Sequence, residues 1–229
     1  VIQLGAILAV IVIFWGKLNP FDPKKSPAKK KATWELWFKV CAAIVPSGVL
    51  GVLFDDWMEL HLHKGIPVAI ALIAYGVAFI YVERRNAGKR PRISKVWDID
   101  WRTAILIGCF QCLSLVPGTS RSGSTILGAI LLGVGRSAGS EFSFFMAVPT
   151  MLGASAIKLL GFLTSGASFG FGEFVLLAVG TLVSFVVSMI AIRALMNYVR
   201  KHSFSAFGVY RIGLGIVVLV YFAIKAILA

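Results

Sequence analysis

Six apolar runs, residues 2–16, 34–54, 66–83, 141–162, 171–192 and 205–228, limit what this chain can fold into. All but the short first run match the length of about 20 residues that carries a helix across a bilayer. The 229 residues are 58% hydrophobic and 14% charged, with a mean hydropathy of +0.86. That is more apolar surface than a soluble fold of this size can hide. The expectation is an all-α polytopic membrane protein with about six transmembrane helices.

Between the third and fourth runs lie two further helical pieces, 101–116 and 122–134, which reach only about 24 and 20 Å against a hydrocarbon core of about 30 Å. Neither can cross. Pro117 and Gly118 divide them, since proline lacks a backbone donor and disfavours helical geometry in the residue before it. A re-entrant hairpin over 101–134 follows. Its unwound tip, Pro117 to Gly123, must then line a protein-walled or watery cavity. The competing reading is one kinked span.

Charge distribution bears on that choice. The formal net charge is +13. Lys17, Lys24, Lys25, Lys29, Lys30 and Lys31 fill the first loop, and Arg84, Arg85, Lys89, Arg90, Arg92 and Lys95 the third. Arg193, Arg200 and Lys201 join the same side only if 101–134 returns to the face it left. The opposite loops, 54–65 with Asp55, Asp56 and Glu59, and 163–173, are poor in cations. The positive-inside rule makes the basic loops cytoplasmic and favours the hairpin. Cations scattered over loops between spans do not make a nucleic-acid face.

Arg121 sits at the expected tip, within Pro117-Gly118-Thr119-Ser120-Arg121-Ser122-Gly123-Ser124-Thr125. An ionisable residue at membrane depth is expensive, which points to function. Its planar guanidinium matches phosphate oxygens. Ser120, Ser122, Ser124 and Thr125 add hydroxyls, while Gly118 and Gly123 allow close backbone approach. The helix starting at 122 adds free N–H groups and its positive end. The logic is that of a phosphate-binding loop without the lysine of Gly-x4-Gly-Lys-Ser/Thr. The bland reading pairs Arg121 with a helix C-terminus or with Glu141.

The run from Pro117 to Thr125 closely resembles the second signature of the undecaprenyl pyrophosphate phosphatase, or bacitracin-resistance, family. Gly108-Cys109-Phe110-Gln111-Cys112-Leu113, Ser140-Glu141-Phe142-Ser143-Phe144 and the stretch Val1 to Ala9 are similar to it too. The resemblance implies hydrolysis of undecaprenyl pyrophosphate to undecaprenyl phosphate and inorganic phosphate. That reaction recycles the lipid carrier of cell-wall peptidoglycan synthesis and confers bacitracin resistance. It further implies a bacterial inner-membrane enzyme with its site opening to the outer face, a polyprenyl pyrophosphate lipid as partner, and a divalent metal, magnesium or calcium. A second copy of the chain, as a homodimer, is carried as a candidate partner.

Carried over by position, Arg121, Ser120 and Thr125 take catalytic roles; Ser122, Gly123 and Gly118 shape the substrate site. Gln3 and Glu141 open equivalent spans and border the cavity, or are plain helix-start residues with Glu141 beside Arg136. Whether a serine or water attacks stays open. The family's glutamate-rich front motif, Glu-Gly-x-Thr-Glu followed by Ser-Ser-Thr-Gly-His, has no match here, so the metal ligands are unknown. The expectation is a single membrane domain over 1–229 built as an inverted repeat, 1–100 against 101–229, that lacks a first hairpin and by itself does not turn over substrate.

Broken helices and inverted repeats also suit a transporter or flippase of a phosphorylated polyprenyl lipid. An acid-phosphatase-type lipid phosphatase is disfavoured, because His61, His63 and His202 stand outside its motifs. Asp55, Asp56, Glu59, His61 and His63 read as a solvated loop, and Cys109 and Cys112 as core thiols. The small residues 128–139 and 153–155 read as helix-packing faces, and Trp34, Trp37, Trp97 and Trp101 as an interfacial belt.

Overall fold

The computed structural model describes residues 2–62, 65–164 and 170–228, apart from the side chains of Asp55, Asp56, Glu59, Leu163 and residues 226–228. The helices are α1 (Leu4–Ile13), α2 (Trp15–Leu18), α3 (Pro27–Leu62), α4 (Gly65–Arg85), α5 (Trp101–Cys112), α6 (Arg121–Leu131), α7 (Arg136–Thr164), α8 (Phe171–Lys201) and α9 (Ser205–Leu228). Short 3-10 turns at Val96–Asp98 and Leu113–Leu115 complete the order. Among the described residues no strand forms, so the protein is all-α. Five helices, α3, α4, α7, α8 and α9, are long and apolar enough to cross a membrane. The first run falls short because Phe14 leaves helical geometry (φ −105°, ψ 18°), ending α1 after 10 residues or about 15 Å.

Two loop expectations change. Helix α3 starts at Pro27, ahead of its apolar run: Ser26 accepts from the Lys29 N–H at 3.5 Å and proline suits a first helical position. Lys29, Lys30 and Lys31 therefore begin a helix instead of filling a loop. At its other end α3 continues through Asp55, Asp56 and Glu59 to Leu62, which replaces the loop expected there. His61 stacks on Trp57 with ring centroids 4.9 Å apart, and His63 lies outside the described residues. Among the described residues no cluster of metal-capable side chains forms. Residues 165–169 of the second cation-poor loop also lie outside the description.

Two compact units form, Val1–Cys41 with Phe144–Tyr198, and Ala42–Ser143 with Val199–Ala229. In the first, Gly5 of α1 lies against the Thr181 carbonyl of α8, which leaves no room for a side chain. Trp37 donates from Nε1 to the Leu18 carbonyl at 2.9 Å. Most of the large apolar side chains of α8, Phe174, Leu176, Leu182 and Ile190 among them, are exposed, as a lipid-facing helix requires. Gly153 and Ala154 are exposed as well, with nothing within 4 Å of Gly153, so no helix packs there among the described residues. Cys109 is exposed too, not a core thiol, because it sits on an outward face of an apolar helix, while Cys112 is half-buried.

The second unit contains the hairpin. Ile93, ahead of α5, pairs in parallel with Val134, beyond α6: its N–H donates to Gly133 at 3.1 Å and its carbonyl accepts from Gly135 at 2.8 Å. Both ends of 101–134 are thereby tied together, and a single kinked span is ruled out. Asp100 caps α5 by accepting from the Thr103 N–H at 2.6 Å. Gly128 of α6 lies against the Phe110 ring, and Gly108 of α5 against the Ala43 carbonyl of α3. Helices α4 and α9 approach through facing glycines, since a Cβ on Gly76 would stand 2.6 Å from the Gly208 carbonyl.

Candidate active site at the hairpin tip

The tip backbone is set by its sequence. Gly118 adopts φ +93°, and a Cβ there would stand 2.6 Å from the Val68 carbonyl, so only glycine fits. Thr119, 3% exposed, spends its hydroxyl on the carbonyls of Leu113 (2.9 Å) and Val116 (2.8 Å). Ser120 then takes φ +66°, the one left-handed non-glycine conformation among the described residues. Strain of this kind persists where surrounding structure over-determines it and clusters at binding sites. It turns the chain into α6, where the Ser120 hydroxyl caps the Gly123 N–H at 3.3 Å.

The hydroxyls divide into two groups. Ser124 and Thr125 are buried: Ser124 donates to Tyr75 of α4 at 3.2 Å, and Thr125 shares a hydrogen bond with Ser143 of α7 at 2.6 Å. They fasten the start of α6 to two neighbouring helices. Ser120 is exposed and Ser122 half-buried, with their hydroxyls 3.4 Å apart. These two face the open side with Arg121. Among the described residues, the half-buried Arg121 guanidinium has no hydrogen-bond or ion-pair partner.

A second arginine joins it. Arg211 of α9 donates from Nη1 to the Thr119 carbonyl at 2.7 Å, and that nitrogen lies 3.4 Å from where a Gly123 side chain would begin. A side chain starting at Gly123 would meet Arg211 and Phe79 at 3.4 and 3.5 Å, ordinary van der Waals contact. One donor of Arg211 holds the tip, which leaves most of its fork free, and no carboxylate among the described residues pairs with it. Arg211 and Tyr75 were not singled out from sequence. The signal for Arg211 was present, since it is a lone arginine in an apolar run, the same criterion that picks out Arg121.

Two arginines of apolar segments, hydroxyls and the first N–H groups of α6 share the tip, a chemistry suited to an anion. The family described as bacitracin resistance protein BacA matches residues 1–217. The chain belongs to the BacA family. BacA relatives include the undecaprenyl-diphosphatase of Limosilactobacillus fermentum, 53% identical over 226 residues that cover 99% of this chain and 82% of that protein. The undecaprenyl-diphosphatase of Enterococcus faecalis is 54% identical over 98% of this chain and 81% of its own length. As a BacA member with five spanning-length helices, the protein is a multi-pass membrane protein.

The remaining expected site residues are placed separately. Glu141 is 6% exposed near the start of α7, in the same unit as the tip and two residues from Ser143. The carboxylate that engages Arg136 is Glu83 of α4, not the expected Glu141: it accepts from Arg136 Nε at 2.9 and 3.0 Å, and also from Nη2. Gln3 lies in the other unit, at the start of α1, where its side chain makes no capping bond. Among the described residues no group of three or more metal-capable side chains forms at the tip.

Proposed function

We propose that this protein hydrolyses undecaprenyl pyrophosphate to undecaprenyl phosphate and inorganic phosphate, and that the α5–α6 tip binds the pyrophosphate. The observation that carries the site assignment is the Arg121 guanidinium, without a partner among the described residues, in the tip segment whose Thr119 carbonyl Arg211 holds. The relatives named undecaprenyl-diphosphatase support the substrate.

Phosphoryl transfer is catalysed chiefly by positioning and by donors aimed at developing charge. Arg121 would supply a planar fork to the oxygens of the transferred phosphoryl group, where negative charge concentrates as the anhydride bond breaks. Ser120 and Ser122 would donate hydroxyl hydrogen bonds to the same oxygens, and the first N–H groups of α6 would add the positive helix end. Gly123 and Gly118 would keep that approach open. Arg211 would bind the other phosphate of the substrate while holding the Thr119 carbonyl. Thr125 and Ser124 contribute by fixing the helix start, which keeps Arg121 oriented.

Ser120 fits a binding role better than that of an attacking group. A hydroxyl nucleophile needs a base within hydrogen-bond reach, and among the described residues the Ser120 hydroxyl meets only Ser122 and the Gly123 N–H. The metal, the inverted repeat of 1–100 against 101–229 and the homodimer belong to the same proposal, as do cytoplasmic basic loops and an outward-facing site. The asymmetric loop charges support that sidedness. The deciding experiment reconstitutes the protein in liposomes with undecaprenyl pyrophosphate, where any phosphate release also overturns the expectation that these 229 residues do not turn over substrate by themselves. Phosphate release that collapses in Arg121→Ala supports the reading, whereas lipid crossing without release would replace it with transport.

A further inference from the structure

A second basic constellation lies at the far end of α6, about 15 Å along the helix from Arg121. There the Ile93–Val134 bridge closes the base of the hairpin, and a cavity of about 310 Å³ opens beside it. Lys89, Arg90, Arg92 and Arg136 line this cavity, and no acidic side chain does. Gly88 (φ +74°) and Gly133 (φ +82°) turn the backbone around it, and a side chain on Gly133 would start 3.3 Å from Arg92 Cβ. The wall is therefore a built feature of two left-handed turns.

The charge there is only partly spent. Arg92 donates to Thr103 at 2.9 Å and lies 4.0 Å from Asp100. Arg136 uses Nε and Nη2 on Glu83, and its Nη1 has no partner among the described residues. Lys89 and Arg90 have no carboxylate partner among the described residues. Gly135 and Arg136 open the 29-residue helix α7 at the cavity, so the positive end of that helix adds to the surplus.

We propose that this cavity binds a phosphate-bearing anion, and that its source is the headgroup of an anionic phospholipid. Surplus positive charge, unspent guanidinium donors and a helix start converge on a space large enough for a glycerophosphate group. The lining residues stand at the end of α4 and the start of α7, both of spanning length, which sets the cavity at headgroup depth. The site is separate from the hairpin tip and does not depend on the reaction proposed there.

The test uses the intact protein in neutral detergent, titrated with phosphatidylglycerol, phosphatidylcholine or inorganic phosphate and read by native mass spectrometry. The expected result is phosphatidylglycerol binding about tenfold or more tighter than phosphatidylcholine, lost in the double variant Lys89→Gln/Arg90→Gln and retained in Lys89→Arg/Arg90→Lys. Both positions are exposed, so the unfolding temperature should stay the same. Equal binding of the two lipids, or unchanged phosphatidylglycerol binding by the glutamine variant, overturns the site. Inorganic phosphate that binds with the same dependence on Lys89 and Arg90 and displaces the lipid overturns the lipid assignment in favour of a soluble phosphate.

Discussion

Arg211 holds Thr119: its Nη1 donates to the Thr119 carbonyl at 2.7 Å, linking α9 to the hairpin tip across 92 residues of sequence. Because the tip is unwound, that carbonyl has no helical donor of its own. Arg211→Ala should lower stability by about 1–3 kcal/mol and reduce kcat/KM by about tenfold to a hundredfold. Arg211→Lys should recover the stability more fully than the activity, since an ammonium reaches the carbonyl but lacks the fork. Equal recovery of both in phosphate-release and thermal unfolding assays would show that Arg211 only braces the loop.

Arg121 should behave differently, because among the described residues it braces nothing. Arg121→Ala should cost about 10²- to 10³-fold in kcat/KM with the unfolding temperature unchanged. Steady-state phosphate release measures this directly. An Arg121→Ala variant within about threefold of the parent would remove this residue from the chemistry.

Glycine substitutions should split by position. Gly118→Ala forces a side chain into φ +93° and to within 2.6 Å of the Val68 carbonyl, and should lower stability by more than about 1 kcal/mol. Gly213→Ala, in α9 with nothing within 4 Å, should raise stability by about 0.5–1 kcal/mol. Two shifts of the same sign in thermal unfolding would contradict the tip geometry.

Thr125 and Ser143 share a buried 2.6 Å hydrogen bond, so their substitutions should not add. Thr125→Val and Ser143→Ala should each cost about 1–3 kcal/mol by stranding the other hydroxyl, with a coupling of about 0.5–3 kcal/mol in the double variant. Thr125→Ser should keep most of both stability and turnover. Strict additivity would mean that the pair does not fasten α6 to α7.

Glu83 is 3% exposed and joins three helices, accepting from Arg136 at the start of α7 and from the Phe204 N–H, at 3.1 Å, just before α9. Removing Glu83 leaves the Arg136 charge only partly hydrated, since its side chain is 37% exposed. Glu83→Gln should therefore lose about 1.5–3 kcal/mol, and Glu83→Gln with Arg136→Met should recover part of it. Denaturation of the three proteins in mixed micelles checks the order.

The hairpin was legible because its signals are local. Two pieces too short to cross, a Pro117-Gly118 break, an arginine and a cluster of hydroxyls all fall within one stretch of chain. The errors also have local causes. Run length overstated α1, because a turn at Phe14 does not interrupt hydropathy, and the acidic residues before Leu62 suggested a loop although a helix tolerates them once it reaches solvent.

The sequence by itself determined that the chain is helical, that it lies in a membrane and that Arg121 stands at the break between two short helices. Composition, spacing and motif identity are properties of the chain in order, and they carry that information without contacts. Only the tertiary structure decided which hydroxyls stay open and which are spent, and that Arg211 and Tyr75 complete the tip. It also decided that Glu83 takes Arg136, 53 residues away. Helix packing, not sequence spacing, sets such partners: where facing glycines let α4 and α9 close on each other, residues far apart in the chain come within hydrogen-bond reach.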